Sequence, residues 1–349
     1  MKVYILIWNF NIGGAQKHSI LLANAYQRKG VEVTILASSN KGTLKNLLNP
    51  KVNIDSLVIN KVNTLPEFFR LRKYMLSKIE KGSIIICNGP NNFRQVARLN
   101  LLFNYWKLVF ILHDDISIKK TPLSFLKIKE MSVLLNQKRS RVVALSKRQL
   151  EIHKALFNIS DIKLIPNFVP VWTNKSVKTS NKLRALCLGR LSNEKGHRVL
   201  IKAMSKIKND LWCDIYGEGA LRTELQNLIE SEKVNVRIKE PVVDLEAVFS
   251  QYDFLVLPSL RETFGLVVIE ALSFGLPVVT TDCNGPRELI EDGKNGFIVK
   301  AGDVTALEQG VKKMITALEK GAFDRELLSK SFDQCYTEPE VIKQYLSLF

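Results

Sequence analysis

Short apolar segments alternate with amphipathic segments along most of the chain. In the first half, the amphipathic segments carry apolar residues at helical spacing, as Ile20, Leu21 and Ala25 do. The strand-like segments of this half are KVYILIW, VEVTILA, SIIICN, KLVFILH and RVVALS. Near-continuous apolar strands that alternate with helices are typical of parallel sheets covered on both faces. The pattern therefore predicts an α/β domain over residues 1–170.

The same pattern restarts after a polar stretch. Residues 168–182 include Pro170 and few periodic apolar positions, so we interpret them as an interdomain linker. Strands are then predicted at LRALCLGR, LWCDIYGEG, DFLVLPS, LPVVTT and GFIV, and helices at HRVLIKAMSKI, ALRTELQNLIESE and LVVIEALSFG. A second α/β domain is expected over residues 171–334, and a C-terminal helix at about 335–349 is expected to pack back on the first. The predicted fold is two Rossmann-like, doubly wound domains that face each other across a cleft.

Bulk composition is that of an ordinary globular protein. The 349 residues are 46% hydrophobic and 24% charged, which suits two domains with their own cores. Five scattered cysteines without a CxxC pair argue against a disulfide framework or a zinc site and favour a reducing compartment. The N-terminal apolar run is too short for a signal peptide, and the longest candidate for a spanning helix is broken by Glu270 and Pro277. We therefore expect a cytoplasmic protein.

The charge is divided unequally between the two halves. Residues 1–170 hold 27 Lys and Arg against 9 Asp and Glu, whereas residues 171–349 hold 24 against 25. An excess of this size predicts an anionic partner for the first half, which could be nucleic acid, a phospholipid surface or a phosphorylated substrate. A lysine-rich soluble surface remains the alternative.

One basic segment of the first half is also rich in apolar residues. Its cations are Lys119, Lys120, Lys127, Lys129, Lys138, Arg139 and Arg141, and its only acid is Glu130. Phe125, Ile128 and Leu135 recur at spacings compatible with one helical face. This pattern predicts an amphipathic surface helix that binds an anionic membrane, against the alternative of a core-packed helix with a solvated lysine face.

Candidate chemistry lies just after the predicted strands, because ligands of such sheets bind outside the carboxyl ends of the strands. Gly13-Gly14 follows the first strand, but the sequence is not GxGxxG and no acid ends the second strand, which counts against an NAD enzyme. Arg190 and Lys195 share the first exit loop of the second domain and could clamp a diphosphate or be two solvated charges. The glycines of IYGEG could allow close approach of a ligand.

Two glutamates stand in an otherwise apolar stretch, RETFGLVVIEALSFGLPVV. Burying an unpaired charge is costly, so Glu262 and Glu270 are expected to be hydrogen-bonded, neutralised or directed into a cleft. The amides near Phe264 and Gly265 begin the predicted helix and suit phosphate or sugar oxygens. Together these groups fit a polyol phosphate. Retaining hydrolases also pair carboxylates, but nothing in the sequence fixes the separation that they need.

The motifs GGAQ, LGRLSNEKG, IYGEG and PSLRETFGLVVIEALSFGLPVV resemble those of the retaining GT-B glycosyltransferases of family 4. The resemblance covers essentially the whole chain and assigns a role to each candidate residue. It implies that Glu262 and His113 contact the donor sugar, that Glu270 binds the nucleotide ribose, that Arg190, Lys195 and Gly14 bind the diphosphate, and that Phe264, Gly265 and Leu266 donate backbone hydrogen bonds to the sugar and phosphate.

The resemblance also implies a reaction that needs neither a cofactor nor a metal. The sequence has no DxD motif, and HDD at residues 113–115 lacks that spacing. Retention of configuration is expected through same-face attack by the acceptor hydroxyl, with the diphosphate as base and without Glu262 as nucleophile. NGPRELI, residues 284–290, resembles members that use UDP-hexoses or UDP-N-acetylhexosamines.

The expected function is transfer of a hexose or N-acetylhexosamine to a lipid-linked or lipopolysaccharide-type glycan in bacterial surface polysaccharide synthesis. The protein would lie at the inner face of the cell membrane, with no obligate protein partner. One alternative is a soluble glycosyltransferase that makes a small glycoside or disaccharide. A remote alternative is a nucleic-acid-binding protein, but RRM, KH and zinc signatures are missing, so no nucleic acid partner is expected.

Overall fold

The computed structural model describes residues 1–57, 65–113, 124–169, 172, 182–207, 211–333 and 336–349. The chain divides into two compact units. The first comprises Met1–Asn167 and Glu338–Phe349, and the second comprises Phe168–Thr337. The chain therefore leaves the first unit after Asn167 and returns to it at Glu338. The sequence predicted these two boundaries at residue 170 and at about residue 335.

The strands of the first unit are β1 (Lys2–Ile7), β2 (Glu32–Ala37), β3 (Asn53–Ser56), β4 (Ile84–Cys87), β5 (Lys107–Ile111), β6 (Ser140–Ala144) and β7 (Ile162–Leu164). They form a parallel sheet in the order β3-β2-β1-β4-β5-β6-β7. The five strands predicted in this half are confirmed. The edge strands β3 and β7 were missed because they are short and largely polar or exposed, so they lack the apolar pattern of a buried strand.

The helices of the first half are α1 (Gly14–Arg28), α2 (Leu65–Lys78), α3 (Pro90–Phe103), α4 (Ser124–Leu135) and α5 (Lys147–Phe157). Buried side chains from α2 to α5 pack with one face of the sheet in a single core cluster. The helix predicted after the glycine pair is confirmed as α1. It ends at Arg28, just before Gly30, whose φ of 75° is in the left-handed region.

The helix predicted in the basic segment is confirmed as α4. The prediction that Phe125, Ile128 and Leu135 share a face that meets a membrane is wrong. Leu135 is buried and Ile128 packs against the core cluster, so this face points into the protein. The large apolar side chains exposed on α4 are instead Phe125, Leu126 and Val133. Lys119 and Lys120 lie outside the described residues. Within the described part of the chain, no helix is both long and apolar enough to span a membrane.

The strands of the second unit are β8 (Arg184–Leu188), β9 (Trp212–Tyr216), β10 (Val236–Lys239), β11 (Phe254–Leu257), β12 (Val278–Thr281) and β13 (Gly296–Val299). They form a parallel sheet in the order β10-β9-β8-β11-β12-β13. All five strands predicted here are confirmed, and the edge strand β10 was missed. This sheet too is doubly wound, because the strand order reverses direction at β8.

The helices of the second unit are α6 (His197–Met204), α7 (Arg222–Glu232), α8 (Leu245–Phe249), α9 (Leu266–Phe274), α10 (Asn284–Leu289), α11 (Val304–Glu319) and α12 (Arg325–Asp333). The predicted helices are confirmed as α6, α7 and α9. Helices α6, α7 and α11 contribute to one core cluster with the sheet. Helix α9 is buried along its length and contacts α12.

The start of the predicted linker is part of the second unit. Phe168 and Val169 are buried, and Val169 forms a bridge with Thr337. The Trp172 ring lies 5.7 Å from the rings of both Phe249 and Phe274. Aromatic packing therefore binds these residues to the second unit, while most of the remaining predicted linker lies outside the described residues.

A final helix, α13 (Glu338–Leu346), returns to the first unit and packs against α1. Val341, Ile342 and Tyr345 are buried there. At the start of α13, Glu338 forms a bidentate ion pair with Arg28 near the end of α1. Apolar burial and this ion pair both hold the C-terminal segment on the first unit.

Candidate active site

Most of the residues singled out in the sequence lie at one edge of the second sheet. Because its strands are parallel, their carboxyl ends share that edge. The loop after β8 carries Arg190 and Lys195, and the loop after β11 carries Glu262. Helix α9 begins directly after the second loop.

Lys195 and Glu262 form an ion pair in this group. The Lys195 Nζ donates to the Glu262 Oε2 at 2.5 Å. The side chains are 21% and 17% exposed, so the pair is partly withdrawn from water. Charge-assisted hydrogen bonds of this kind are stronger than neutral ones. The structure thus brings together the predicted diphosphate ligand Lys195 and the predicted sugar ligand Glu262.

The two loops that carry this pair are joined through their backbones. The amides of Leu260 and Arg261 donate to the Glu194 carbonyl at 2.8 and 3.3 Å. Gly196 has a φ of 69°, and a Cβ atom there would lie 2.0 Å from the Pro258 carbonyl oxygen. Only glycine allows this contact, so the position of Lys195 relative to Glu262 depends on close backbone packing.

The start of α9 supplies backbone donors beside the pair. Gly265 caps the helix with a φ of 88°, and α9 begins at Leu266. The first N–H groups of a helix lack partners within that helix, and its dipole favours an anion there. Phe264 is buried, and the Gly285 amide donates to the Glu262 carbonyl at 3.3 Å. The predicted backbone donors therefore lie at or just before the start of α9, shortly after Glu262 in the chain.

Glu270 lies in the middle of α9 and is only 3% exposed. The Ser273 hydroxyl donates to its backbone carbonyl, and the indole of Trp172 donates to the same hydroxyl at 2.7 Å. Glu270 is the one charged residue of this otherwise apolar helix, and the structure places it among buried side chains.

Arg190 is less ordered by contacts than Lys195. Its side chain is 71% exposed, and its nearest described carboxylate is Glu194 at 3.7 Å. An exposed pair at this distance contributes little stability. Arg190 is therefore positioned mainly through its backbone, whose carbonyl lies 3.1 Å from the Nε2 of His197.

Sequence reasoning missed His197, the first residue of α6. It is 2% exposed, and its Nδ1 lies 3.6 Å from the Cys187 Sγ. A neutral ring with its proton on Nε2 donates to the Arg190 carbonyl, and burial lowers the pKa of His197 to about 4. The sequence did contain one signal for His197, since it directly follows Lys195 and Gly196 in the predicted diphosphate-binding loop.

The glycines of IYGEG have a different role from the one predicted. A Cβ atom on Gly217 would lie 2.0 Å from the Gly189 carbonyl oxygen. The glycine therefore makes room for the backbone of a neighbouring loop and not for a ligand. The Leu191 amide donates to the Glu218 carbonyl at 2.8 Å. The loop after β9 thus packs against the loop that carries Arg190 and supports it.

Two predicted site residues, Gly14 and His113, belong to the first unit. Gly14 begins α1, and a Cβ atom there would meet open space, so packing does not require glycine at this position. His113 follows β5, and its ring centroid lies 5.1 Å from that of the buried His18. Burial lowers the pKa of His113 to about 3, so the ring is neutral near physiological pH. Its buried Nε2 has no hydrogen-bond partner within the described residues.

Two family models match the chain. A model described as Glycosyltransferase Family 4 matches residues 12–172, and one described as Glycosyl transferases group 1 matches residues 169–321. This chain belongs to glycosyltransferase family 4. The glycosyltransferase has the GT-B fold, because its structure superimposes on the crystal structure of Anabaena Alr3699/HepE in complex with UDP and glucose. The TM-score is 0.81 at 20% identity, over 99% of this chain and 98% of that one.

Two relatives match this glycosyltransferase along most of its length. One is the N-acetylgalactosamine-N,N'-diacetylbacillosaminyl-diphospho-undecaprenol 4-alpha-N-acetylgalactosaminyltransferase of Campylobacter jejuni, which is 26% identical over 99% of each chain. The other is the lipopolysaccharide core biosynthesis glycosyltransferase LpsE of Rhizobium meliloti. It is 23% identical over 87% of this chain and 86% of its own.

Acidification is expected to destabilise the second unit through His197. The pKa is about 6.5 in the unfolded chain and about 4 in the folded one, so between these values the unfolded state binds a proton that the folded state does not. Stability present at neutral pH is therefore lost as the pH falls, by about 2 kcal/mol at about pH 5. Urea unfolding at neutral pH and at about pH 5 measures this loss in the free energy of unfolding.

The variant His197→Gln serves as the comparison, since its amide can donate to the Arg190 carbonyl but does not titrate. It should show a weaker pH dependence than the parent protein. An identical dependence in both proteins would contradict the assignment.

Proposed function

We propose that this glycosyltransferase transfers a hexose or N-acetylhexosamine from a UDP-sugar to a lipid-linked or lipopolysaccharide-type glycan in bacterial surface polysaccharide synthesis. The observation that carries the proposal is the Lys195–Glu262 pair at the start of the buried helix α9. The pair and the start of α9 together supply a cation and backbone amides suited to phosphate, and a carboxylate suited to hydroxyl groups.

In this proposal the donor diphosphate lies against Lys195, Arg190 and the first amides of α9, at Gly265 and Leu266. The exposed guanidinium of Arg190 is available for a bidentate contact with phosphate oxygens. The amide of Gly14 is assigned to the diphosphate as well, and open space beside that glycine supports the close approach of a ligand. These groups stabilise the negative charge that develops on the leaving diphosphate.

The two glutamates accept hydrogen bonds from different parts of the donor. Glu262 accepts from hydroxyls of the transferred sugar, and Glu270 accepts from the ribose. His113 is assigned to the sugar as well, because its partly buried, neutral ring can donate or accept a hydrogen bond. Phe264 contributes its backbone to the sugar site.

We further propose that the transfer retains configuration. The acceptor hydroxyl attacks the anomeric carbon on the face that the diphosphate leaves, the bond from that carbon to the diphosphate oxygen breaks, and a diphosphate oxygen takes the hydroxyl proton. The cations and amides supply the stabilisation of the leaving group, so no metal has to bridge it. Glu262 remains a hydrogen-bond acceptor and forms no bond to the sugar.

The names of the relatives support the proposed acceptor. The Campylobacter protein is named for transfer to a diphospho-undecaprenol-linked sugar, and the Rhizobium protein for lipopolysaccharide core biosynthesis. Both names describe growing glycans on lipids. An acceptor anchored in a membrane requires the enzyme to reach the membrane surface.

The outer helical face, defined as the solvent-facing side of α2 to α5, supports docking at an anionic membrane. Its exposed large apolar residues are Phe69, Leu76, Leu101, Leu102, Phe125, Leu126, Val133, Ile152 and Leu156. Its exposed cations include Arg70, Arg72, Lys73, Lys78, Arg98, Lys127, Lys129, Lys147, Arg148 and Lys154. Apolar side chains interleaved with cations match the chemistry of a lipid interface with negative head groups.

Release of nucleotide from a panel of nucleotide sugars, with and without a lipid-linked acceptor, tests the function. UDP-sugars should give transfer, and Lys195→Ala or Arg190→Ala should lower turnover at least about tenfold, because each removes about 1.4 kcal/mol or more of stabilisation from the leaving diphosphate. Lys312→Ala, an exposed lysine on α11, is the matched control. Near-normal turnover in both folded variants would refute the diphosphate assignment.

Metal independence is tested by the same assay in the presence of EDTA. Activity should persist, because the proposed charge stabilisation comes from Lys195, Arg190 and amides. Loss of activity in EDTA that manganese or magnesium restores would show that a metal bridges the diphosphate.

Membrane docking is tested by co-sedimentation with vesicles of phosphatidylglycerol and phosphatidylcholine. A variant with Phe125→Ser, Leu126→Ser, Lys127→Gln and Lys129→Gln should release the protein. Its two lysines alone contribute about 2 kcal/mol, which corresponds to more than about tenfold in partitioning. Lys312→Gln with Lys313→Gln, exposed on α11 of the second unit, is the control for lost charge.

Donor binding should be unchanged in the docking variant. Equal co-sedimentation of the variant and the parent protein, or no binding by the parent, would contradict the outer helical face as the docking surface.

A further inference from the structure

We propose that Glu262 and the donor diphosphate compete for Lys195, so that Glu262 disfavours binding of the nucleoside diphosphate product relative to the intact nucleotide sugar. The inference rests on the proposed function and adds a second role to Glu262, as a determinant of which ligand stays bound.

The competition follows from the contact that Lys195 makes in the structure. Its ammonium group donates to Glu262 at 2.5 Å, and both side chains are largely withdrawn from water. A charged pair in such surroundings interacts more strongly than an exposed one. A diphosphate that binds Lys195 must therefore weaken this hydrogen bond or bind beside the negative charge of Glu262.

Backbone hydrogen bonds hold the loop of Glu262 in place beside Lys195. Its loop is fixed on one side by the Leu260 and Arg261 amides, which donate to the Glu194 carbonyl. On the other side, the Gly285 amide donates to the carbonyl of Glu262 itself. The backbone of Glu262 is thus held next to the loop of Lys195, and a carboxylate within reach of Lys195 acts against an anion bound there.

An intact nucleotide sugar compensates for the weakened Lys195–Glu262 hydrogen bond, whereas the nucleoside diphosphate product does not. The hydroxyls of a transferred sugar can donate to Glu262 and replace the hydrogen bond from Lys195. A nucleoside diphosphate has no hydroxyls at that position, so it leaves Glu262 without a replacement donor. After transfer, Lys195 returns to Glu262 and the diphosphate is released.

The smallest probe of this competition is inorganic pyrophosphate, because it contacts the cations without a sugar or a base. Calorimetry with pyrophosphate, UDP and the UDP-sugar that the panel identifies compares the parent protein with Glu262→Gln, Lys195→Gln and the double variant. Glu291→Gln is the matched control, since it breaks an exposed Lys–Glu pair at 2.7 Å in the same unit.

Glu262→Gln should bind pyrophosphate and UDP at least about fivefold more tightly than the parent, which corresponds to about 1 kcal/mol. Its affinity for the UDP-sugar should not rise, and its turnover should fall. In the Lys195→Gln background the same change should alter pyrophosphate affinity by less than about twofold, since the pair is the source of the effect. Glu291→Gln should bind all three ligands as the parent does.

Unchanged or weaker pyrophosphate and UDP binding by Glu262→Gln would overturn the inference, as would an equal gain with and without Lys195. Sugar transfer by the parent protein would then leave the proposed function intact. Absence of both transfer and UDP binding in the parent would instead refute the proposed function. If Glu262→Gln does not fold, as judged by thermal unfolding, Glu262→Ala takes its place with the same expected results.

Discussion

Close backbone packing between strand-exit loops is the constraint on which the candidate site depends. The loop after β8 lies against the loop after β11, where Gly196 meets the Pro258 carbonyl and two amides donate to Glu194. This packing brings two side chains from distant parts of the sequence, Lys195 and Glu262, into a hydrogen bond. A side chain at Gly196 would force the loops apart. Close packing of this kind fixes the backbone from which both side chains extend.

The electrostatics of the site follow from that geometry. Lys195 and Glu262 neutralise each other away from water, and the N-terminus of α9 adds partial positive charge next to them. Burial also keeps His197 neutral, so it can hold the Arg190 carbonyl as a hydrogen-bond donor. The site therefore presents hydrogen-bond donors and one ion pair. We propose that an incoming anion competes with Glu262 for the ammonium group of Lys195.

The two units differ in what their surfaces present. The first half of the sequence carries the whole excess of positive charge, and the outer helical face displays much of it between exposed apolar residues. The second unit has nearly balanced charge and carries the Lys195–Glu262 group at one edge of its sheet. Helix α13 leaves the second unit and completes the first, so the chain passes between the units twice.

The sequence by itself determined the two α/β units, their central strands and the helices α1, α6, α7 and α9, because buried parallel strands are continuously apolar and local periodicity records this. It also identified Lys195, Glu262 and Glu270 as unusual. Tertiary structure alone decided that the IYGEG glycines serve loop packing, that Ile128 and Leu135 face the core, and that His197 supports Arg190. These features depend on contacts between residues far apart in the chain or on the direction of a side chain, and local periodicity carries no information about either.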